Sequence, residues 1–189
     1  MASNQPGAAP DQSQTYPVAP LIRFTLLGLY LALVLPLPLL ATPTLRPWLI
    51  AALPVGFVLV AALLSERVRL DQEGITVGHP SWCAWLLRRG WQLPWKQVEG
   101  LTSLDTSQGG RVYYLRSEDG RRLLLPQRVD RFPAFLLQVQ RTTGLDLSAV
   151  GRLSPPWTYW ALAALTAAML LGELVVLAAL PTANVPGLG

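Results

Sequence analysis

A single carboxylate inside a long apolar run is the most unusual candidate for chemistry in this sequence. Glu173 lies within Trp157–Leu180, and no other charged residue follows Arg152. An ionisable side chain at membrane depth is unfavourable, so it normally pairs or faces a protein interface. Three interpretations remain open. Glu173 contacts another subunit of a membrane assembly, is protonated near the outer headgroups, or takes part in a proton relay. Its partner would be a backbone or hydroxyl group such as Thr166, a proton, or the other subunit.

A second unusual stretch combines three tryptophans with two adjacent arginines. Amphipathic indole rings favour the membrane interface, and arginines near the surface attract anionic lipid at about 1 kcal/mol each. The same residue types dominate the hot spots of protein interfaces. We therefore predict contact with lipid or with a partner chain here, although tryptophans that fill the domain core remain the alternative. The residues are Trp82, Trp85, Arg88, Arg89 and Trp91.

Catalytic and metal-binding patterns do not emerge from the sequence. His79 and Cys83 are the only residues of their types, and we predict that they lie in a strand or loop. A nucleophile needs a base that a third group orients. Phosphate-binding glycine loops and the H-E-x-x-H helix are also missing from the sequence. We therefore predict a protein that is not an enzyme and that has no cofactor and no metal.

Three long uncharged runs predict membrane-spanning helices. Charged residues make up 14% of the chain and hydrophobic residues 51%, whereas soluble domains contain about 25% charged residues. Phe24–Ala41, Trp48–Leu64 and Trp157–Leu180 each approach the ~20 residues that cross a bilayer. The first two are separated by the short turn Thr42–Pro47 and therefore form a hairpin.

Prolines and aromatic residues refine these spans. Pro36, Pro38 and Pro54 lie inside the first two spans and predict kinks. Trp157 and Trp160 lie at the start of the third span, where an aromatic belt at the headgroups is expected. Both are candidate interface residues.

The positions of the basic residues predict the orientation. Thirteen of the 15 Lys and Arg residues lie between Arg67 and Arg152, which places this region and the N-terminus on the cytoplasmic side. The C-terminus then lies on the opposite side. The predicted organisation is a disordered arm (1–22), a transmembrane hairpin (23–65), a cytoplasmic domain (66–155), a third transmembrane helix (156–181) and a short tail (182–189).

The cytoplasmic domain shows the two-residue alternation of half-buried strands. Val68 and Leu70 alternate with charged residues, and further strands are predicted at 75–77, 98–104, 111–116 and 121–125. Turns with glycine separate them, of which Asp119-Gly120 is the strongest hairpin signal.

A change of periodicity predicts one helix at the end of this domain. Phe132, Phe135, Leu136 and Val139 follow the spacing of an apolar helix face. Asp130 is positioned to cap its start and Gly144 to end it; Pro133 fits the first turn.

Three motifs carry a resemblance to known proteins. These are L-D-x-x-G-I-T-V (70–77), L-P-W-K-Q-V (93–98) and Y-Y-L-R-S-E-D-G-R-R-L-L-L-P (113–126). The chain resembles bacterial pleckstrin-homology (PH)-like domains fused to transmembrane helices. Its layout is similar to the cyanobacterial and chloroplast photosystem I assembly factor family, to which the third span is an addition. The resemblance implies a PH-like antiparallel β-sandwich or barrel closed by one C-terminal helix, and a role in building membrane complexes.

These observations predict a membrane protein of the α+β class that acts as a non-catalytic scaffold. Its partners would be subunits of a membrane complex, such as a photosystem in a thylakoid membrane, with anionic lipid headgroups as further partners. A lipid-responsive signalling module and a small transporter subunit are the alternatives. The acidic turn Asp71–Gly74 argues against phosphoinositide binding there. Nucleic acid is not an expected partner, because 13 basic and 9 acidic residues of the domain form no continuous basic stripe.

Overall fold

A β-rich unit and a helical unit make up the chain in the computed structural model, which describes residues 13–87, 90–107, 110–151 and 155–179. The β-rich unit takes its residues from two places, up to Ala19 and between Ala62 and Ser154. The helical unit contains the intervening residues from Pro20 to Ala61 and those from Pro155 onward. The fold is therefore a mixture of helices and antiparallel sheets.

The first sheet has four antiparallel strands in sequence order. They are β1 (Gln14–Pro17), β2 (Arg67–Leu70), β3 (Gly74–Gly78) and β4 (Trp91–Pro94). Alternation in β2 buries Val68 and Leu70 and exposes Arg67 and Arg69, as the sequence pattern predicts. At the turn between β2 and β3, Asp71 Oδ1 accepts the backbone N–H of Glu73 at 3.0 Å and of Gly74 at 2.8 Å.

The second sheet is a three-stranded antiparallel meander of β5 (Val98–Asp105), β6 (Arg111–Ser117) and β7 (Arg122–Leu124). A short 3-10 turn, Trp95–Gln97, precedes β5. Gly120 has a φ of 80° in the β6–β7 turn, which explains why glycine occupies this position. The strand pattern predicted for residues 98–125 is confirmed.

One amphipathic helix covers the core of the β-rich unit. The helix predicted from the Phe132 periodicity is α5 (Phe132–Thr143), and it buries Phe132, Phe135 and Val139. Phe135 is fully buried and meets the Tyr16 ring edge-on, with 5.5 Å between the ring centroids. Gly144 ends the helix with a φ of 70°, as predicted. Inward residues of both sheets complete this core, including Ile75, Leu93 and Leu115.

Three helices are long and apolar enough to cross a membrane: Pro20–Leu40, Arg46–Leu63 and Trp157–Ala179. The first is interrupted at Pro36, so that α1 (Pro20–Val34) is followed by the short α2 (Leu37–Leu40). The second is α3 (Arg46–Leu63), with Pro54 inside it, and the third belongs to α6 (Pro156–Ala179). Within the helical unit, the Tyr30 hydroxyl of α1 donates a 2.7 Å hydrogen bond to Leu53 O of α3.

Three local predictions differ from the structure. The arm predicted to be disordered up to residue 22 includes strand β1, and α1 begins at Pro20. Tyr16 is buried in the core, and this burial stabilises an ordered strand. The region of His79 and Cys83 was expected to be strand or loop, but Ser81–Ala84 forms the helical turn α4. Asp130 does not cap α5, because Arg131 occupies the N-cap position with a φ of 45° and no side-chain cap. Residues 1–12 and the tail predicted at 182–189 lie outside the described residues.

Candidate functional site

Glu173 lies on the face of α6 that packs within the helical unit. The residues of this face recur at three- and four-residue intervals, from Tyr159 through Thr166 to Glu173. Thr166 is buried, and its hydroxyl donates a 2.8 Å hydrogen bond to Leu162 O. The Thr166 hydroxyl therefore already has a hydrogen-bond partner on its own helix. It is not the partner that the sequence suggested for Glu173.

The Glu173 carboxylate is half-buried and incompletely bonded. Its Oε2 is buried and has no hydrogen-bond partner among the described residues. A buried polar atom without a partner destabilises by about 1–3 kcal/mol, and more in a medium without water. A hydrogen-bond partner for this oxygen would have to come from outside the described residues.

Most of the membrane-helix surface is uncovered in the single chain. Trp157 and Trp160 are exposed at the start of α6, where the aromatic belt was predicted. In an 18-residue window of each span, the share of buried residues is 17% in the first span, 6% in the second and 6% in the third. These faces must therefore meet lipid or other membrane helices.

The tryptophans of the 81–91 stretch do not share one environment. Trp82 and Trp85 are 52% and 80% exposed on and beside α4. Trp91 in β4 is half-buried and packs against the core. The packing of Trp91 matches the core alternative, whereas the exposure of Trp82 and Trp85 is compatible with the predicted interface. Arg88 and Arg89 lie outside the described residues.

The exposed Trp85 ring is held by a local hydrogen bond. Its Nε1 donates to the Trp82 carbonyl oxygen at 2.9 Å, which restricts the rotation of the indole. A large aromatic surface that is already oriented loses less conformational entropy on binding. We call these two exposed residues, Trp82 and Trp85, the α4 tryptophan pair.

His79 and Cys83 are not assembled for catalysis. Cys83 is buried, with its Sγ 3.2 Å from Ser65 Oγ and 3.6 Å from Pro80 O. His79 Nδ1 is buried and has no hydrogen-bond partner in the described part of the chain. No group of three or more His, Cys, Asp or Glu residues suited to a metal ion occurs within residues 13–87, 90–107, 110–151 and 155–179.

Sequence reasoning missed one feature of the β-rich unit. Arg67 and Arg69 lie side by side on the outer face of the first sheet and line an open cleft. The alternation of arginine with apolar residues in β2 was the available signal. This alternation predicts on which face of the sheet each arginine lies. It does not predict which residues of β1 and β3 lie next to the arginines.

A comparison with known proteins gives one relative and no family model. An uncharacterised protein of Synechocystis sp. (strain ATCC 27184 / PCC 6803 / Kazusa), slr0269, is 43% identical over 155 residues, which cover 79% of this chain and 78% of the relative. No protein-family model matches the chain.

Proposed function

We propose that this chain, which belongs to the same family as the Synechocystis protein slr0269, is a non-catalytic membrane scaffold. It acts as an assembly factor or accessory subunit of a larger membrane protein complex. The membrane is the thylakoid and the client is a photosystem or its precursor. The cyanobacterial origin of the relative is compatible with this location, and the layout of a hairpin followed by a β-rich domain supports it.

The main support for the proposal is the environment of the Glu173 carboxyl group. Lipid can cover the exposed apolar faces of the three spans, but lipid tails cannot hydrogen-bond a carboxyl oxygen. Its Oε2 is buried without a partner among the described residues, on a helix with few buried positions. Because the Glu173 side chain is only half-buried, its rotation would let a neighbouring subunit that offers a hydroxyl, an amide or a cation satisfy this atom.

The β-rich unit supplies a second contact on the cytoplasmic side. In this proposal it is a PH-like domain, with its two sheets and the covering helix α5 as the sandwich. The α4 tryptophan pair is its contact point for the client. The excess of basic residues between Arg67 and Arg152 supports the cytoplasmic placement, with the C-terminus on the other side.

Purification from a native membrane tests the proposal. We would express the tagged full-length chain in Synechocystis in place of slr0269 and solubilise the membranes in a gentle detergent. The eluate would be analysed by mass spectrometry and absorbance. We expect chlorophyll together with photosystem subunits in stoichiometric amounts. A colourless eluate that contains only the tagged chain would contradict the proposal.

Variants connect the result to the structure. Glu173→Leu removes the carboxylate, and Trp82→Ala with Trp85→Ala removes the tryptophan pair; each is expected to reduce recovery of the client severalfold. Leu137→Ala changes an exposed apolar residue of α5 (53% exposed) and is the matched control, with recovery unchanged. If Glu173→Gln assembles normally but abolishes an activity of the complex, the transporter-subunit alternative replaces the scaffold.

A lipid-responsive module is the second candidate function. The exposed tryptophans favour it, because indole rings partition to the headgroup region. In this case the α4 tryptophan pair would insert into anionic vesicles, with a blue shift of its fluorescence that Trp82→Ala and Trp85→Ala abolish. The same variants would leave client recovery unaffected.

A further inference from the structure

The outer face of the first sheet carries two arginines that lie side by side. Residues directly opposite each other in neighbouring strands point to the same side of a sheet. The register joins Thr15, Arg69, Thr76 and Gln92 in one row across all four strands. Arg67 lies in the next row on the same face, opposite Gly78, about 7 Å along β2 from Arg69.

These residues line an open cleft of ≈ 510 Å³. His79 and Ser81, which follow β3, contribute to its wall, and Gly78 contributes backbone only. A Cβ at Gly78 would have only Gly90 Cα nearby, at 3.7 Å, so that the space beside Arg67 is open. The lining therefore brings two guanidinium groups, several hydroxyls and an amide to one cleft.

The two arginines of this cleft outnumber its one carboxylate, Asp71, so that the lining carries a net positive charge. Arg111, Arg116, Arg121 and Arg131 each pair with an Asp or Glu at 2.6–3.8 Å. Arg67 and Arg69, in contrast, form no ion pair and no side-chain hydrogen bond within the described chain.

The one carboxylate in the lining serves another purpose. Asp71 Oδ1 accepts two backbone N–H groups of the β2–β3 turn, at 3.0 and 2.8 Å. The side chains of Thr15, Thr76, Ser81 and Gln92 also lack partners in the part of the chain that the structure describes. An anion in the cleft would thus meet unused donors on β1, β2, β3 and β4.

We propose that this cleft is a binding site for a phosphate group, recognised by Arg67 and Arg69 with the polar row from Thr15 to Gln92. Guanidinium groups bind phosphate oxygens bidentately. A phosphate offers more acceptor oxygens than a carboxylate does. It therefore suits a cleft in which several donor groups have no partner. The site lies on the face of the sheet and borders the acidic turn at Asp71, whose Oδ1 is bonded to the backbone of that turn.

Two sources of the phosphate share this chemistry. Arg67 follows the end of α3 at Leu63 by four residues, a distance of at most ~14 Å of extended chain, which suits the headgroup of an anionic phospholipid. A soluble phosphate compound is the other source. Both would make the same contacts with the two arginines.

The test uses the full-length chain in a neutral detergent. In one arm, native mass spectrometry counts bound phosphatidylglycerol after incubation with equimolar phosphatidylglycerol and phosphatidylcholine. In the other arm, calorimetry follows a titration with inorganic phosphate. Preference for phosphatidylglycerol identifies the lipid source, whereas binding of inorganic phosphate without lipid preference identifies a soluble one. If neither probe binds, the proposal is wrong.

Matched variants assign the binding to the cleft. Arg67→Gln with Arg69→Gln is expected to weaken binding about tenfold or more. Lys96→Gln with Arg141→Gln removes the same charge from exposed positions outside the cleft and should bind as the original chain does. Gly78→Val fills the space beside Arg67 without a change of charge and should also weaken binding. Equal loss of binding in the arginine variant and in the charge control would overturn the proposal. Unchanged binding in both cleft variants would also overturn it. The unfolding midpoint of every variant is measured to check that it is folded.

Discussion

Gly28 of α1 packs directly against Thr166 of α6, where a Cβ added to the glycine would lie 3.2 Å from Thr166 Cγ2. Small residues allow membrane helices to approach closely, and packing rather than water release drives their association. Since Thr166 is buried and bonded to its own helix, it acts here as a packing surface. The close packing of α1 against α6 therefore requires that residue 28 has no side chain.

Enlarging Gly28 should separate these helices. We expect Gly28→Leu to lower the free energy of unfolding by about 1–3 kcal/mol, the usual range for overpacking. Gly172→Leu is the matched control, because a Cβ at Gly172 meets nothing within 4 Å. Thermal unfolding of both variants in detergent measures the difference, and equal midpoints would show that the Gly28 contact is not stabilising.

Glu173 should destabilise the isolated chain. Replacing it with leucine removes a buried oxygen without a partner among the described residues, and we expect a gain of about 1–2 kcal/mol in the detergent-solubilised monomer. Glu173→Gln keeps a polar group at the same place and should gain little. Unfolding titrations of the three proteins provide the comparison. Destabilisation by leucine would mean that the carboxylate is satisfied within the chain.

Two glycines at the β3–β4 pair should respond differently to the same change. A Cβ at Gly90 would overlap the Val77 carbonyl oxygen, whereas at Gly78 it would reach only ordinary contact, 3.7 Å from Gly90 Cα. We expect Gly90→Ala to destabilise by about 1–3 kcal/mol and Gly78→Ala to change stability by less than about 1 kcal/mol. Chemical denaturation of the full chain measures both, and similar effects would contradict this geometry.

Asp146 should contribute to acid sensitivity. The Ser148 hydroxyl and backbone N–H donate to its carboxylate and hold its pKa below the ordinary value of 3.8. Because the folded pKa is depressed, the stabilisation is present above pH 3.8 and is lost as the pH falls through the folded pKa. Asp146→Asn should therefore be less stable than the original chain at pH 6, and the difference should shrink at pH 3. A difference that does not change with pH would argue against this origin.

Local patterns were sufficient where each element follows from its own residues. The helix α5 was predictable because its apolar spacing is regular and Gly144 ends it. The three apolar helices follow from length and lack of charge. The strands from β5 to β7 follow from alternation and from the turn at Gly120.

Elements that depend on distant partners were not predictable. β1 has only four residues, and it becomes a strand because Tyr16 pairs with Val68 and enters a core with Phe135. Likewise, Arg131 replaces the predicted Asp130 as the N-cap residue, while Asp130 N–H instead donates to Pro17 O at 2.7 Å. The different environments of Trp85 and Trp91 also depend on tertiary packing.

Strand β1 makes the order of synthesis important for this protein. The strand leaves the ribosome before the first span, but its partner β2 and the segment at Val129, which bridges to Val18, follow the whole hairpin. The β-rich unit therefore cannot complete its core until more than a hundred further residues have been made. Until then, Tyr16 lacks the residues against which it packs in the complete core. A deletion that trims the N-terminus up to Val18 would remove part of the core rather than a tail.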